Sequence, residues 1–462
     1  VADRLYQDDL IERTSAALRE GYRAPLIQSP TGSGKTWIAI KVIKRSLARG
    51  KRILFQAHTR ALVAQTLAKF EDAGLDAGVI MAGFPRTPGP LQIGSVQTIA
   101  RRIDQIEPFD LIVSDEAHRA SAASFRAALT AWQRAYHLGL TATPQRTDGR
   151  GLDDIFDVLI CGPQVRELIA LGFLSRFLVY APALPDLTGV KTVAGDYNEV
   201  DLSAAMDKPT ITGDAIAHFQ RLAGGRFALT YCVNIQHAEH TAAAFNAAGI
   251  PTSVLHSKLS EDDQTAAING LRTGAIRNLV SVGMINEGFD VPAVTCAVLL
   301  RPTKSLVLAC QQWGRVNRGS SDAPALILDH AGNAIRHGHP EQEREWTLQG
   351  RQRGRRQEQN TISVIRCHTC FCVYQAAPAC PNCGATNVVV RAPMKQVAGE
   401  LVEFTGPADT PEKLRALAKA KGYRPGYIIR RLAAREGCSL ERAAIRLGYH
   451  PGIVQHLKRR VS

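Results

Sequence analysis

Three clusters in this sequence could do chemistry. The first is Ser29, Pro30, Thr31, Gly32, Ser33, Gly34, Lys35 and Thr36. Small residues let a backbone wrap closely around a polyphosphate with its N–H groups turned inward, and a helix starting there adds partial positive charge. Lys35 can reach the β- and γ-phosphates, and the Thr36 hydroxyl can ligate Mg²⁺. The pattern G-x-x-x-x-G-K-[ST] is met except at its first position, where Ser29 stands and a small residue still fits the turn. The second cluster is the acidic pair Asp115 and Glu116, about eighty residues on. Asp115 can hold Mg²⁺, and Glu116 can orient and deprotonate a water attacking a γ-phosphate. The third is Cys367, Cys370, Cys380 and Cys383, two C-x-x-C hooks able to present four thiolates tetrahedrally to a structural Zn²⁺. Cys372 could replace Cys370, and His368 is a lesser substitute. Reduced free cysteines are the plainer alternative, as a solvated turn is for the acidic pair taken alone.

The surrounding patterns place these residues. A short apolar run at 24–28 precedes the small-residue loop and an apolar-periodic segment at 37–43 follows it, so the loop joins a strand to a helix. Further strand signals lie at 52–57, 93–98, 109–114 and 136–140, alternating with helical patterns. That alternation implies a parallel sheet with right-handed crossovers. Asp115 follows the strand at 109–114, at the end where open α/β sheets bind ligands. Upstream, Gln7 beside Tyr6 could hydrogen-bond an adenine edge; an ordinary surface glutamine is the alternative. Residues 181–212, with Pro182, Pro185, Gly189 and Gly195, read as a connector. A second α/β block has strand signals at 227–231, 252–255, 278–282, 296–300 and 325–328. It carries no phosphate loop of its own and could close over a nucleotide held by the first.

Charge is unevenly placed. Of the net +14, residues 351–462 contribute 20 Lys+Arg against 7 Asp+Glu, and residues 1–350 carry 36 against 35. Concentrated basicity fits a polyanionic partner, most simply nucleic acid; a solubilising tail is the alternative. No run of 18 apolar residues occurs and the first residues form no apolar signal region, so a cytoplasmic protein without membrane spans is expected. Five of the ten cysteines crowd into 367–383, which favours metal over disulfides.

Taken in order, these motifs resemble a superfamily 2 helicase of the DEAD/DEAH class over about residues 4–335. The residues that carry the likeness are 29–36, the run Asp115, Glu116, Ala117 and His118, the run Leu140, Thr141, Ala142, Thr143 and Pro144, and two second-block motifs. The stretch 139–149 is most similar to the Rad25-like and phage or bacterial DNA-helicase group. The resemblance implies two RecA-like domains with parallel sheets and ATP between them, at 1–180 and 213–345. It implies that Gly288 and Asp290 sense nucleotide, and that Gln311, Arg315 and Arg318, in the pattern Q-x-x-G-R-x-x-R, complete the site from the second domain. It further implies that His118, Thr141 and Thr143 couple hydrolysis to movement. His58, Thr59, Arg60, Gln97 and Thr98 would face the nucleic-acid backbone. DNA is the expected substrate; an RNA helicase, or a nucleic-acid-binding regulator switched by ATP, are the rivals.

Beyond the helicase-like region, the expectation is a basic linker at 346–362, a zinc ribbon at 363–392 and a basic helical module at 408–462. In the last, Thr410 with Pro411 and Ser439 read as helix starts. Ala444, Gly448, Val454 and Leu457 fall at helix-turn-helix core spacing, and Gln455, His456, Lys458, Arg459 and Arg460 could enter a major groove. A helical packing or protein-docking module is the alternative.

Overall fold

The computed structural model describes residues 4–84, 87–119, 123–182, 184–193, 195–283, 294–317, 323–350, 364–386, 411–421, 425–450 and 452–454. Two compact units divide at residue 388.

The first unit holds two sheets. In the first lobe, β1 (Pro25–Gln28), β2 (Ile53–Ala57), β3 (Gly78–Ile80), β4 (Leu91–Ser95), β5 (Leu111–Ser114), β6 (Tyr136–Thr141) and β7 (Val158–Cys161) form one sheet in the order β3-β4-β2-β5-β6-β1-β7. Every pairing is parallel. Strands β1, β2 and β5 are buried along their whole length. Helices cover both faces of such a sheet, so its strands are near-continuous apolar runs and not alternating ones. The order matters for chemistry: β5, β6 and β1 are neighbours. The chain therefore leaves three adjacent strands at Asp115, at Ala142 and at Ser29.

In the second lobe, β8 (Phe177–Tyr180), β11 (Phe227–Tyr231), β12 (Thr252–Leu255), β13 (Asn278–Ser281), β14 (Val294–Leu299) and β15 (Ala325–Asp329) form the parallel part of an eight-stranded sheet, in the order β12-β13-β11-β14-β15-β8. Two antiparallel strands, β17 (Cys372–Gln375) and β16 (Val364–Arg366), continue it past β8. A short hairpin of β9 (Thr192–Val193) and β10 (Asp196–Tyr197) docks on this lobe, where Asp196 accepts from Thr303 Oγ1 at 2.8 Å and Lys304 N at 2.7 Å.

Three stretches differ from the boundaries expected above. Strand β8 lies within 1–180 but pairs with β15, so it belongs to the second lobe's sheet. Residues 181–212 are not all irregular: helix Glu199–Met206 starts at Asn198, whose side chain accepts from Val200 N and Asp201 N, and helix Pro209–Leu222 begins inside the stretch. Residues 346–350 return to the first lobe. There the Leu348 carbonyl accepts from Leu152 N at 2.6 Å and Asp153 N at 3.2 Å, and the Leu348 side chain joins Leu26, Phe125 and Phe156. The fit needs glycine at 151, because a Cβ there would stand 2.1 Å from the Leu348 carbonyl oxygen.

The second unit has helices Pro411–Lys421, Pro425–Glu436 and Leu440–Arg446 around Leu414, Ile428, Ile429, Leu432, Ala444, Leu447 and Val454. Ser439 caps the third, its hydroxyl accepting from Arg442 N at 3.2 Å. Thr410, Leu457 and the basic residues at 455–460 lie outside the described residues. No described helix is long and apolar enough to cross a membrane.

Candidate functional site

The small-residue loop folds back on itself before its helix starts. Ser29 Oγ and Ser33 Oγ lie 2.7 Å apart and both residues are fully buried, which gives the serine at position 29 a structural role that glycine lacks. The Ser33 carbonyl accepts from Gln7 Nε2 at 3.1 Å, from Arg4 at 3.3 Å and from the Tyr6 hydroxyl. Gln7 is thus buried and bonded to the loop, while Tyr6 and Arg4 pack on Phe173. Helix Lys35–Leu47 begins after Gly34, at φ 85, with no side chain capping its first N–H groups. An uncapped helix start of this kind is an anion site.

A cleft of about 270 Å³ opens over that helix start, lined by Lys35, Thr36, Asp115 and Glu116 from the first lobe and Arg315 from the second. Lys69, from helix Arg60–Asp72, also reaches it. Nothing in its local sequence marks Lys69 out, because it arrives by helix geometry alone. Burial and the adjacent Glu116 charge push the Asp115 carboxyl up to about 6, with Lys35 opposing the rise. Glu116 sits at φ 48, left-handed backbone that a non-glycine residue adopts at a cost of about 1–3 kcal/mol and that clusters at functional sites.

Behind Glu116 runs a chain of polar contacts that crosses between the lobes. Glu116 Oε2 is 3.4 Å from His118 Nδ1. His118 is buried, and burial together with the Arg119 and Lys35 charges lowers its pKa to about 3, so this contact is not an ion pair at neutral pH. Gln311 Nε2, from helix Leu306–Gly314 of the second lobe, lies 3.2 Å from His118 Nε2. Glu116 Oε2 has no hydrogen-bond partner in this arrangement, so its approach to Nδ1 is a polar contact and not a bond. Thr141 Oγ1 is 3.4 Å from the same Nδ1, donates to the Thr143 carbonyl at 2.9 Å and accepts from Thr143 N at 3.1 Å. The helix carrying Gln311 lies directly on the phosphate loop: a Cβ at Gly314 would stand 2.4 Å from Thr31 Cβ. Arg315 follows it, 9% exposed. Arg318, Gly288 and Asp290 lie outside the described residues.

The five residues expected to face nucleic acid gather at the ends of two adjacent strands, since Ala57 of β2 is in register with Ser95 of β4. Their side chains differ in availability. Thr59 caps helix Arg60–Asp72 by accepting from Leu62 N at 3.2 Å. Thr98 is buried and its Oγ1 lies 2.8 Å from Ser95 Oγ. His58 packs edge-on against Phe125, and burial with the nearby Arg119 charge lowers its pKa to about 4. Gln97 and Arg60 are exposed, with the Arg60 guanidinium 3.1 Å from Glu261 of the second lobe.

The cysteine hooks converge. The sulfurs of Cys367, Cys370, Cys380 and Cys383 all lie within 4.8 Å of one another, with 3.6 Å between Cys367 and Cys383 and 3.7 Å between Cys370 and Cys380. Tetrahedral Zn²⁺ with Zn–S near 2.3 Å demands sulfurs about 3.8 Å apart. Cys372 is outside the quartet, in β17 with its sulfur 3.9 Å from the Val373 carbonyl, and His368 is exposed.

Compared with known proteins, residues 1–146 match the family described as type III restriction enzyme, res subunit, and residues 213–320 match the helicase conserved C-terminal domain. A 51.5 kDa protein of Lactococcus phage (isolate 7-9) is 30% identical over 362 residues, which are 78% of this chain and 77% of that protein. The ATP-dependent DNA helicase RecG of Acidithiobacillus ferridurans is 24% identical over 325 residues, 66% of this chain and 44% of that protein. Among solved structures, a fragment described as an HsdR subunit of a type I restriction enzyme from Vibrio vulnificus YJ016 covers 74% of this chain and 66% of its own, at TM-score 0.59 and 22% identity.

Proposed function

We propose that this chain, which belongs to the superfamily 2 helicases and hydrolyses ATP between its two RecA-like lobes, acts on DNA, moving along or separating its strands. The observation that carries the reading is the shared cleft: Lys35, Thr36, Asp115 and Glu116 face Arg315 from the other lobe across about 270 Å³. Phosphoryl transfer asks the protein for positioning and charge stabilisation. Lys35 and the uncapped helix start hold the phosphates, and Glu116 takes the proton of the attacking water. Arg315, joined by Arg318, meets the charge that builds on the transferred group. Because those guanidiniums come from the second lobe, turnover requires the lobes to be together.

Thr36 and Asp115 fit Mg²⁺. Asp115 is half-buried beside a second carboxylate at the cleft wall, and a dication is what such a donor pair lacks. Held by Thr36 and Asp115, Mg²⁺ would supply positive charge against the phosphates. The contacts Glu116–His118–Gln311 carry the state of the carboxylate to the second lobe, and Thr141 and Thr143 belong to the same network. Arg60, Gln97 and Thr59 are the exposed members of the strand-facing set, and Arg60 and Gln97, whose side chains cap no helix, make contacts to the sugar–phosphate backbone, as movement independent of sequence requires. Gly288 and Asp290 keep the nucleotide-sensing role their motif implies. DNA is favoured over RNA by the DNA helicase among the relatives; the basic C-terminal quarter of the chain fits either polyanion. The cysteine quartet holds a structural Zn²⁺, with no ligand position left open.

Measuring ATP hydrolysis with and without duplex DNA, single-stranded DNA and RNA tests the reading. DNA stimulates the wild type, and Glu116→Gln lowers the rate by about 10²–10⁴, the usual worth of a general base. A Glu116→Gln protein that turns over at the wild-type rate would remove Glu116 from its role; equal or stronger stimulation by RNA would reassign the substrate.

A further inference from the structure

The strand-facing end of the first lobe carries an aromatic ring that none of its motifs accounts for. Strands β3, β4 and β2 end side by side, with Ile80 in register with Gly94 and Ser95 with Ala57. The chain leaves β2 toward Arg60, β4 toward Gln97 and β3 toward Phe84. Phe84 is presented by a hydrogen-bonded turn. Its N–H donates to the Met81 carbonyl at 3.3 Å, and Gly83 takes φ 83, which a turn of this kind reserves for glycine. Met81 is buried and anchors the turn, while Ala82, Gly83 and Phe84 are exposed. Among the described residues of this lobe, the other exposed aromatics, Tyr22 and Tyr136, stand at the opposite end of the sheet, before β1 and at the start of β6.

A lone exposed ring needs no explanation, but this one has a charged neighbour. The Arg60 guanidinium carbon lies 5.3 Å from the ring centroid, within cation–π range. The ring is still 36% exposed. Arg60 Nη1 is also 3.1 Å from Oε1 of Glu261, the first residue of helix Glu261–Thr273 in the second lobe. One guanidinium thus touches a ring and an oxyanion together. With side chains 53% and 74% exposed, the ion pair is held weakly, so a phosphate can displace the carboxylate from the same donors.

We infer that Arg60 and Phe84 form a subsite for one nucleotide of the bound strand, with its phosphate on the guanidinium and its base against the ring. Glu261 holds the phosphate's position until a strand arrives. The inference rests on the nucleic-acid reading proposed above and adds base stacking to it. Every base has a π-face, so the ring adds affinity without reading sequence. Because Glu261 comes from the other lobe, entry of the strand also releases an exposed tie between the lobes.

The test measures equilibrium binding of the full chain, without nucleotide, to labelled oligothymidylate and to an abasic oligonucleotide of the same length. Phe84→Leu weakens oligothymidylate about fivefold or more, the lower end of what one stacked base is worth, and leaves the abasic strand unmoved. Phe84→Trp keeps oligothymidylate binding, which separates stacking from a folding defect. Arg60→Gln weakens both strands. Glu261→Gln tightens both severalfold, and does nothing in the Arg60→Gln background. Equal losses on the two strands in Phe84→Leu, or no loss on either, would remove the ring from the site. Tightening by Glu261→Gln that persists without Arg60 would reduce the carboxylate to general repulsion. These outcomes overturn the subsite while wild-type binding stands; a wild type that binds neither strand would overturn the nucleic-acid reading itself.

Discussion

At the scale of single residues, the site holds its groups in states they would not adopt in water. Asp115 carries the clearest cost. Its folded pKa, raised to about 6, exceeds the ordinary carboxylate value, so its favourable contribution to folding is complete only below that ordinary value and is lost as pH rises through about 6. Asp115→Asn therefore raises the thermal midpoint of the nucleotide-free protein at pH 7.5, and the gap to wild type narrows as pH falls below about 6. The same substitution removes the carboxylate proposed to hold Mg²⁺ and is expected to suppress ATP turnover at every pH. A variant less stable than wild type at pH 7.5 in a melting scan would contradict the electrostatics read from this pair. His118 shows the opposite shift: burial keeps it neutral, so it passes orientation between Glu116 and Gln311 without adding charge.

At the scale of elements, the cysteine hairpin acts as part of the second lobe. Strand β17 pairs with the outer edge of β8 through Cys372 opposite Tyr180 and Val373 opposite Val179, and Ala181 N donates to the Phe371 carbonyl at 3.0 Å. Cys367, Cys372, Tyr374 and Cys380 pack in one cluster with Tyr180, Phe219 and Leu328. Removing the proposed Zn²⁺ should therefore unpair an edge inside the ATPase body and not just loosen an appendage. Hydrogen exchange after chelation, or in Cys383→Ser, is expected to show faster exchange at Phe177–Tyr180. Unchanged protection there, with zinc demonstrably gone, would mean that β8 is held by β15 alone. The consequence reaches the cleft, because Leu174 and Ser175 just before β8 touch the phosphate loop and Asn317.

At the scale of the whole molecule, the lobes are joined by more than the connector. The returning segment buries Leu348 in the first lobe, and Gln164 exchanges two hydrogen bonds with the Arg344 backbone, at 3.0 and 3.3 Å. The exposed Arg60–Glu261 pair adds little stability, as surface pairs do, with side chains 53% and 74% exposed. Net charge acts on the partner. Residues 408–462 carry 13 Lys+Arg against 4 Asp+Glu. Deleting them should lower DNA affinity and flatten the dependence of log K on log salt, because fewer counterions are released. An unchanged slope would place the DNA contacts wholly in the helicase body.

How much of this was legible beforehand follows from the reach of each interaction. The phosphate loop, the Asp115–Glu116 pair and the strands behind them could be read from the chain, because a turn, a helix start and a buried strand are written in neighbouring residues. The cysteine quartet was legible for the same reason, since each hook is local. Two local side-chain bonds escaped that reading: Thr59 and Thr98 have the types that face a nucleic-acid strand, but the Thr59 hydroxyl caps a helix and the Thr98 hydroxyl accepts from the Ser95 hydroxyl. Strand β8 could not be assigned to its lobe, because a strand's partner is chosen by non-local hydrogen bonds that composition does not encode. The His118–Gln311 contact joins residues 193 positions apart, and Arg60 meets Phe84 and Glu261 together only where two lobes meet. Sequence by itself determined which chemical groups were present and the local geometry that presents them. The tertiary structure alone decided which groups share a space and which side chains are left exposed to bind something else.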